Sequence, residues 1–161
     1  MEETLPLPRT PEEDDLIKLC AALNEQGALY VIVGGIAVNQ QGFLRATEDI
    51  DLLLEGSRSN QEKALQALEV LPDKAVLDVG RNDLDEYTVV RVADEVVVDL
   101  MLSTCGITYP EAVPEIEVKE IRGVKIPFAS AKLLLRMKQT YREKDIADRI
   151  FLQEKLQAES S

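Results

Sequence analysis

The sequence has no histidine and only two cysteines, Cys20 and Cys105. The absence of histidine excludes Ser-His-Asp and Cys-His mechanisms, His-ligated zinc and imidazole-based pH switches. Two cysteines are too few for a disulfide scaffold or a thiolate zinc site. Any acid–base or metal chemistry must therefore use carboxylates, lysine, tyrosine or cysteine.

Positive charge is also scarce, because 18 lysine and arginine residues stand against 30 aspartate and glutamate residues, for a formal net charge of −12. Such an acidic chain is disfavoured as a general nucleic-acid coat, which depends on cationic contacts that release counterions. The longest apolar run, ALYVIVGGIAV, is too short to cross a bilayer, and the acidic, proline-containing N-terminus does not resemble a signal peptide. We therefore expect a soluble, cytoplasmic protein with no membrane partner.

The length of 161 residues and the apolar content of 45% are typical of one globular domain. Residues 1–10 have no apolar periodicity and are predicted to form a flexible lead-in to a single domain over 11–157. Thr10, followed by Pro11 and the acidic residues Glu12, Glu13 and Asp14, predicts the start of the first helix. Cys20 lies on the apolar stripe of this helix, which favours a buried structural thiol over a reactive one.

Short strands and amphipathic helices follow along the rest of the chain. Apolar runs bounded by turn residues predict strands over 28–33, 48–56, 74–80, 86–92, 95–102, 115–121 and 124–128. Apolar spacing and helix-end signals predict helices over 36–44 and 58–71 and a C-terminal helical pair at about 129–157. This order predicts an α/β (α+β) domain with a mixed β-sheet flanked by helices.

Asp49 and Asp51 lie in one predicted strand, EDIDLLLEG. Because side chains alternate along a strand, both carboxylates project from the same face, about 7 Å apart. Like charges at this distance repel each other unless a cation lies between them, and two carboxylates suit a hard divalent metal ion. The alternative is a pair of solvated acidic residues on an edge strand.

Gly34 and Gly35 follow a predicted buried strand and precede a helix. Without side chains, this backbone can approach a ligand closely and present free amide groups to a phosphate. A simple tight turn between strand and helix is the alternative. The dinucleotide-binding GxGxxG pattern and the Walker pattern are both absent.

Asp99 lies inside the valine-rich run EVVVDLML. A carboxylate at such a half-buried position carries a desolvation cost of several kcal/mol unless it is paired or metal-bound. Asp99 therefore needs a partner. The alternatives to a metal are a loop-capping role at the strand end or an ion pair with a lysine.

The combination of a diglycine turn, an Asp-x-Asp strand thirteen residues later and a lone Asp on a later apolar strand resembles the nucleotidyltransferase superfamily, that of DNA polymerase beta. The segment GGIAVNQQGFLRATEDIDLLL is similar to the abortive-infection toxin group of small bacterial nucleotidyltransferase-like proteins. The C-terminal segment KQTYREKDIAD is also similar to that group, and it supplies Lys138, Arg142, Lys144, Asp145 and Asp148. The resemblance covers about residues 28–152.

This resemblance implies a nucleotidyltransferase-like fold and transfer of a nucleoside monophosphate from a nucleoside triphosphate to a hydroxyl group. The implied cofactor is Mg²⁺ or Mn²⁺, held by the catalytic carboxylates of Asp49, Asp51 and Asp99. The acceptor is a protein, a tRNA or a small molecule, and a toxin-antitoxin or phage-defence pair would add a protein partner. The alternative is a non-catalytic nucleotide-binding or regulatory protein on the same fold.

Four basic residues and no acidic residue lie between Lys132 and Arg142, in a chain that is otherwise strongly acidic. Such a local patch can counter the charge of a triphosphate. Within it, Lys138 is the first candidate for a phosphate contact, and Lys144, just beyond it, is the second. Arg45 and Thr47 are further nucleotide-binding candidates. The alternative is a solvated helix face, with Lys144 and Asp148 forming a weak surface pair.

Overall fold

The computed structural model describes residues 7–140 and 142–160. Its helices are α1 (Glu13–Gln26), α2 (Gly34–Gln40), α3 (Arg58–Ala67), α4 (Asp83–Glu86), α5 (Tyr109–Ala112), α6 (Ala131–Met137) and α7 (Glu143–Glu159). Its strands are β1 (Tyr30–Val33), β2 (Asp49–Leu54), β3 (Val90–Ala93), β4 (Val97–Met101), β5 (Ser103–Thr104), β6 (Ile107–Thr108), β7 (Ile116–Ile121) and β8 (Val124–Ala129). Short 3₁₀ turns occupy Leu68–Val70, Ala75–Asp78 and Val113–Glu115.

Six strands form the main sheet, in the order β3-β4-β2-β1-β8-β7. The pairs β2–β4 and β1–β8 are parallel, and the other neighbours are antiparallel. The predicted mixed sheet flanked by helices is therefore confirmed. Strands β1, β2 and β4 each bury four residues, and helices α1 and α2 contact the sheet at β1, β2 and β8.

Helix α1 packs its apolar stripe against this sheet, and Cys20 is fully buried there, as predicted. Burial raises the pKa of the Cys20 thiol to about 12, so it stays protonated at neutral pH. The helix begins after Glu12 rather than at Thr10. The Asp15 carboxylate accepts a hydrogen bond from the Glu12 backbone N–H at 2.7 Å, which fixes this later start.

Part of the predicted lead-in contacts the domain. The Arg9 backbone N–H donates to the carbonyl of Glu95, and the Arg9 guanidinium binds Asp15 and Glu95 at 2.6 and 3.1 Å. Residues 1–6 of the lead-in lie outside the described residues.

The predicted strand over 74–80 is wrong, because this segment forms a 3₁₀ turn at Ala75–Asp78. The buried carboxylate of Asp94 accepts hydrogen bonds from the backbone N–H groups of Asp73 and Ala75, at 3.0 and 2.9 Å. These bonds hold the segment against the turn between β3 and β4 and remove its amides from any strand ladder. The predicted helix over 58–71 likewise ends at Ala67 and continues as a 3₁₀ turn.

None of the helices formed by residues 7–140 and 142–160 combines the length and apolar character needed to span a membrane.

Candidate active site

Strand pairing brings Asp99 beside the predicted Asp49–Asp51 pair. Strand β2 runs parallel to β4 with Asp51 opposite Asp99, and β3 runs antiparallel to β4 with Arg91 opposite Asp99. Residues paired across neighbouring strands project from the same face of a sheet. Asp51, Asp99 and Arg91 therefore form one row, with Asp49 next to it.

The three carboxylates converge on one point. One oxygen from each of Asp49, Asp51 and Asp99 lies within 4.8 Å of the others. Burial raises the pKa of Asp51 to about 7, and the charges of Asp49 and Asp99 contribute to this rise. Burial and the neighbouring Asp99 also raise the pKa of Asp49. Clustered hard oxygen donors that repel each other fit a divalent cation such as Mg²⁺ or Mn²⁺.

Gly34 brings the backbone against this cluster. Its φ of +70° lies in the left-handed region, and a Cβ built on it would lie 1.9 Å from Oδ2 of Asp51. Only glycine fits this position without displacing Asp51. A Cβ on Gly35 would meet Arg45 and Thr47 at 3.0 Å, so the second glycine is tightly enclosed as well.

A cavity of about 440 Å³ opens over the carboxylates. The structure brings all nine sequence-predicted site residues to its lining, namely Gly34, Gly35, Arg45, Thr47, Asp49, Asp51, Asp99, Lys138 and Lys144. These residues come from α2 and the loop after it, from β2 and β4, and from the C-terminal helices. The cavity is therefore lined by residues from both the N-terminal and the C-terminal half of the predicted domain.

Two of the predicted phosphate-binding cations are already paired with acidic residues. Arg45 donates two hydrogen bonds to Asp148, from Nε and Nη2, both at 2.8 Å. Lys138 Nζ lies 3.2 Å from Asp145 Oδ1 and 3.3 Å from Asp148 Oδ2. Asp145 and Asp148 are fully buried. Asp148 thus binds Arg45 and Lys138 in the interior, and the alternative of a surface pair with Lys144 is wrong.

Lys144 differs from these cations. It is exposed at the cavity, and within residues 7–140 and 142–160 its side chain has no hydrogen bond or ion pair. Its charge acts at a distance, lowering the pKa of both Asp49 and Asp51 against the larger effect of burial. Lys144 is therefore available to a ligand without first leaving a carboxylate.

Arg91 is the site residue that the sequence interpretation missed. Its guanidinium binds Asp99 through two hydrogen bonds of 3.0 Å and reaches Asp49 Oδ2 at 3.2 Å. The hydrogen bonds to Asp99 raise the pKa of Arg91 above its ordinary value. The partner that Asp99 requires is thus an arginine on the neighbouring strand. The available signal was an arginine between the apolar Val90 and Val92 of a predicted strand.

Two solved structures are similar to the chain. The crystal structure of the lincosamide antibiotic adenylyltransferase LnuA, with lincomycin bound, has a TM-score of 0.57 and 18% sequence identity, and covers 90% of this chain and 98% of that one. The crystal structure of a candidate nucleotidyltransferase from Thermotoga maritima has a TM-score of 0.47 and 17% identity, and covers 89% and 91% of the two chains.

No curated protein matches the chain in sequence. Residues 12–156 match the family described as "Nucleotidyl transferase of unknown function (DUF2204)". This match spans nearly all of the sequence, including every residue that lines the cavity. The chain therefore belongs to this family of nucleotidyl transferases.

Proposed function

We propose that the protein is a metal-dependent nucleotidyltransferase that moves a nucleoside monophosphate from a nucleoside triphosphate to a hydroxyl group. The convergence of Asp49, Asp51 and Asp99, with oxygens within 4.8 Å of one another, carries this proposal. The family of nucleotidyl transferases to which the chain belongs supports it.

The reaction exchanges one oxygen for another at the α-phosphorus. The acceptor hydroxyl oxygen forms a bond to this phosphorus, and the bond from the phosphorus to the bridging oxygen of pyrophosphate breaks. The hydroxyl proton passes to solvent water. Asp49, Asp51 and Asp99 would hold Mg²⁺ or Mn²⁺, which would neutralise phosphate charge and activate the hydroxyl.

The chain supplies further groups for the triphosphate. Gly34 and Gly35 line the cavity and begin α2, so the free backbone amides at the start of this helix would be the groups that meet a phosphate. Among the cations at this cavity, Lys144 is the better candidate for a phosphate contact, because Lys138 is bound to Asp145 and Asp148. Arg45 and Thr47 complete the wall beside the glycines.

The test is pyrophosphate release from each of the four ribonucleoside triphosphates with Mg²⁺ or Mn²⁺. Panels of acceptors would include small hydroxyl compounds, tRNA and protein. Asp49→Asn combined with Asp51→Asn should abolish release. The control, Asp73→Asn combined with Asp78→Asn, removes the same charge from exposed positions outside the cavity. It should leave the rate of pyrophosphate release unchanged. Equal loss in both double variants would contradict the assignment.

A non-catalytic nucleotide-binding or regulatory protein is the second candidate. The ion pairs of Arg45, Lys138 and Arg91 favour it, because three basic residues of the cavity are already bound to carboxylates, and Arg91 binds one of the proposed metal ligands, Asp99. This candidate predicts that a triphosphate raises the melting temperature while no pyrophosphate forms with any acceptor. Label transfer from the α-phosphate to an acceptor would eliminate it.

The proposal includes a toxin-like role. The other possible acceptor is a small molecule, as for the lincosamide adenylyltransferase LnuA, whose fold is similar. A toxin should slow growth when expressed in bacteria, and the Asp49→Asn, Asp51→Asn variant should not. Equal growth with both proteins would remove the toxin role and leave the transfer reaction to the enzymatic assay.

A further inference from the structure

Arg91 lies in the same row as the carboxylates of the site. It belongs to β3, an edge strand of the main sheet, and is paired directly with Asp99 of β4. Its neighbours Val90 and Val92 point into the core, while Arg91 lies on the exposed face. The strand therefore presents one cation to the carboxylate cluster.

The Arg91 guanidinium binds two of the three carboxylates of the site. Nε and Nη2 of Arg91 bind the two oxygens of Asp99, each at 3.0 Å, and Nη2 also lies 3.2 Å from Asp49 Oδ2. Both oxygens of Asp99 are thus engaged by a fixed positive charge. Of the three acidic residues, Asp51 lacks a contact with Arg91 among the described hydrogen bonds.

The Arg91 side chain is 62% exposed, so it is not packed into the core. An exposed arginine on an edge strand adds little to the stability of a fold. Its contacts are nevertheless bidentate and reach a second acidic residue, which is the arrangement that holds a guanidinium most firmly. These observations point to a role at the site rather than in the fold.

We propose that Arg91 is a resident counter-cation that competes with a divalent metal ion for Asp99 and Asp49. It screens the repulsion among the carboxylates when no metal is bound. It also weakens the binding of a free metal ion, because the ion must displace a guanidinium from Asp99 or share the site with its charge. This inference rests on the proposed function, which assigns the metal to the three carboxylates.

The test is the affinity for Mn²⁺ alone, measured as loss of the free-ion electron paramagnetic resonance signal without nucleotide. Arg91→Gln should bind Mn²⁺ at least about fivefold more tightly than the wild type, the effect of removing one unit charge a few ångströms away in water. Arg122→Gln is the matched control, because Arg122 is also 62% exposed and also contacts two acidic residues, Glu13 and Asp14, outside the cavity. It should bind Mn²⁺ like the wild type.

Three outcomes would overturn the inference in different ways. If Arg91→Gln binds Mn²⁺ with wild-type affinity or more weakly, while Asp49→Asn combined with Asp51→Asn abolishes binding, Arg91 organises the carboxylates or is irrelevant to them. If Arg91→Gln and Arg122→Gln tighten binding equally, the effect is general electrostatics. If neither the wild type nor Arg91→Gln binds Mn²⁺, the metal site of the proposed function fails together with this inference.

Discussion

Gly34 and Asp51 are in such close contact that the glycine determines where the carboxylate can lie. A Cβ at Gly34 would overlap Oδ2 of Asp51 and lie 2.8 Å from its Cγ. Gly106 has a similar φ, +76° against +70°, yet nothing lies within 4 Å of its Cβ position. Replacing each glycine by alanine would therefore separate the cost of a left-handed backbone, common to both, from the steric conflict with Asp51, which occurs only at Gly34.

We expect Gly106→Ala to lower the free energy of unfolding by about 1–2 kcal/mol, the cost of a left-handed alanine. Gly34→Ala should cost about 1–3 kcal/mol more, because Asp51 must move. Urea unfolding measures both effects. Gly34→Ala should also weaken Mn²⁺ binding, which Gly106→Ala should leave intact. Equal costs of unfolding would show that Asp51 moves aside freely.

Asp99 permits a test of separate roles among the carboxylates. If Asp49 and Asp51 serve triphosphate binding and Asp99 serves attack by the hydroxyl, Asp99→Asn should leave triphosphate affinity within a few-fold of the wild type. Turnover should fall about 10²- to 10³-fold, as on loss of one catalytic electrostatic contact. Calorimetric titration and pyrophosphate release measure the two quantities. If binding falls as far as in Asp49→Asn and turnover per bound substrate stays normal, Asp99 belongs to the triphosphate site.

The C-terminal helices are joined to the rest of the site by buried ion pairs. Asp148 on α7 binds Arg45 in the loop between α2 and β2, and it also binds Lys138 at the end of α6. Its side chain is fully buried, so the charge has no access to water. Helices α6 and α7 thus form a wall of the cavity whose position depends on Asp148.

Asp148→Asn should lower the free energy of unfolding by about 3–5 kcal/mol, because it removes the negative charge that pairs with Arg45 and one of the two that pair with Lys138. The control is Glu159→Gln on the same helix, which removes the exposed pair of Lys155 and Glu159 at 3.9 Å. That change should cost no more than about 0.5 kcal/mol. Chemical denaturation measures both, and similar small costs would mean that water reaches Asp148.

Acid should weaken the same junction through Asp145. Burial alone would raise the pKa of Asp145, but hydrogen bonds from Thr140 and Lys138 outweigh it and hold the pKa below its ordinary value. A depressed carboxyl pKa contributes stability above the unfolded pKa of about 3.9, and the contribution is lost as pH falls through the folded pKa. The stability difference between the wild type and Asp145→Asn should therefore shrink below about pH 4. A constant difference from pH 7 to pH 3 would contradict this.

At the scale of the whole molecule, the chain carries an excess of 12 negative charges, and the cavity differs from it in having many basic residues. Five basic residues line it, Arg45, Arg91, Lys138, Arg142 and Lys144. Four acidic residues, Glu48, Asp49, Asp51 and Asp99, line it as well, so the cavity is close to neutral and an anionic triphosphate would meet less net negative charge there than the whole chain carries. Metal and phosphates should then complete each other's coordination in this cavity.

Mg²⁺ together with a nucleoside triphosphate should raise the melting temperature more than either alone. A ligand at 100 times its dissociation constant adds about 2.7 kcal/mol to the free energy of unfolding. Differential scanning fluorimetry with Mg²⁺, with triphosphate in EDTA and with both measures the effect. Equal shifts from triphosphate with Mg²⁺ and with EDTA would show that the nucleotide binds without metal.

Local sequence pattern by itself determined much of the site. Alternation along β2 placed Asp49 and Asp51 on one face, and burial in a valine-rich strand required a partner for Asp99. Periodicity and glycine positions also predicted most helices and strands and the mixed sheet that connects them. These features depend on neighbours along the chain, so the sequence expresses them directly.

Which charged side chains form ion pairs with one another was decided only by the tertiary structure. Asp99 pairs with Arg91 because of the register of β3 against β4, and Lys138 faces Asp148 because α6 and α7 pack together. The 3₁₀ turn at Ala75–Asp78 likewise depends on Asp94, which lies beyond it in sequence. Contacts between distant residues depend on strand register and helix packing, and an acidic chain offers each cation several partners that local pattern cannot rank.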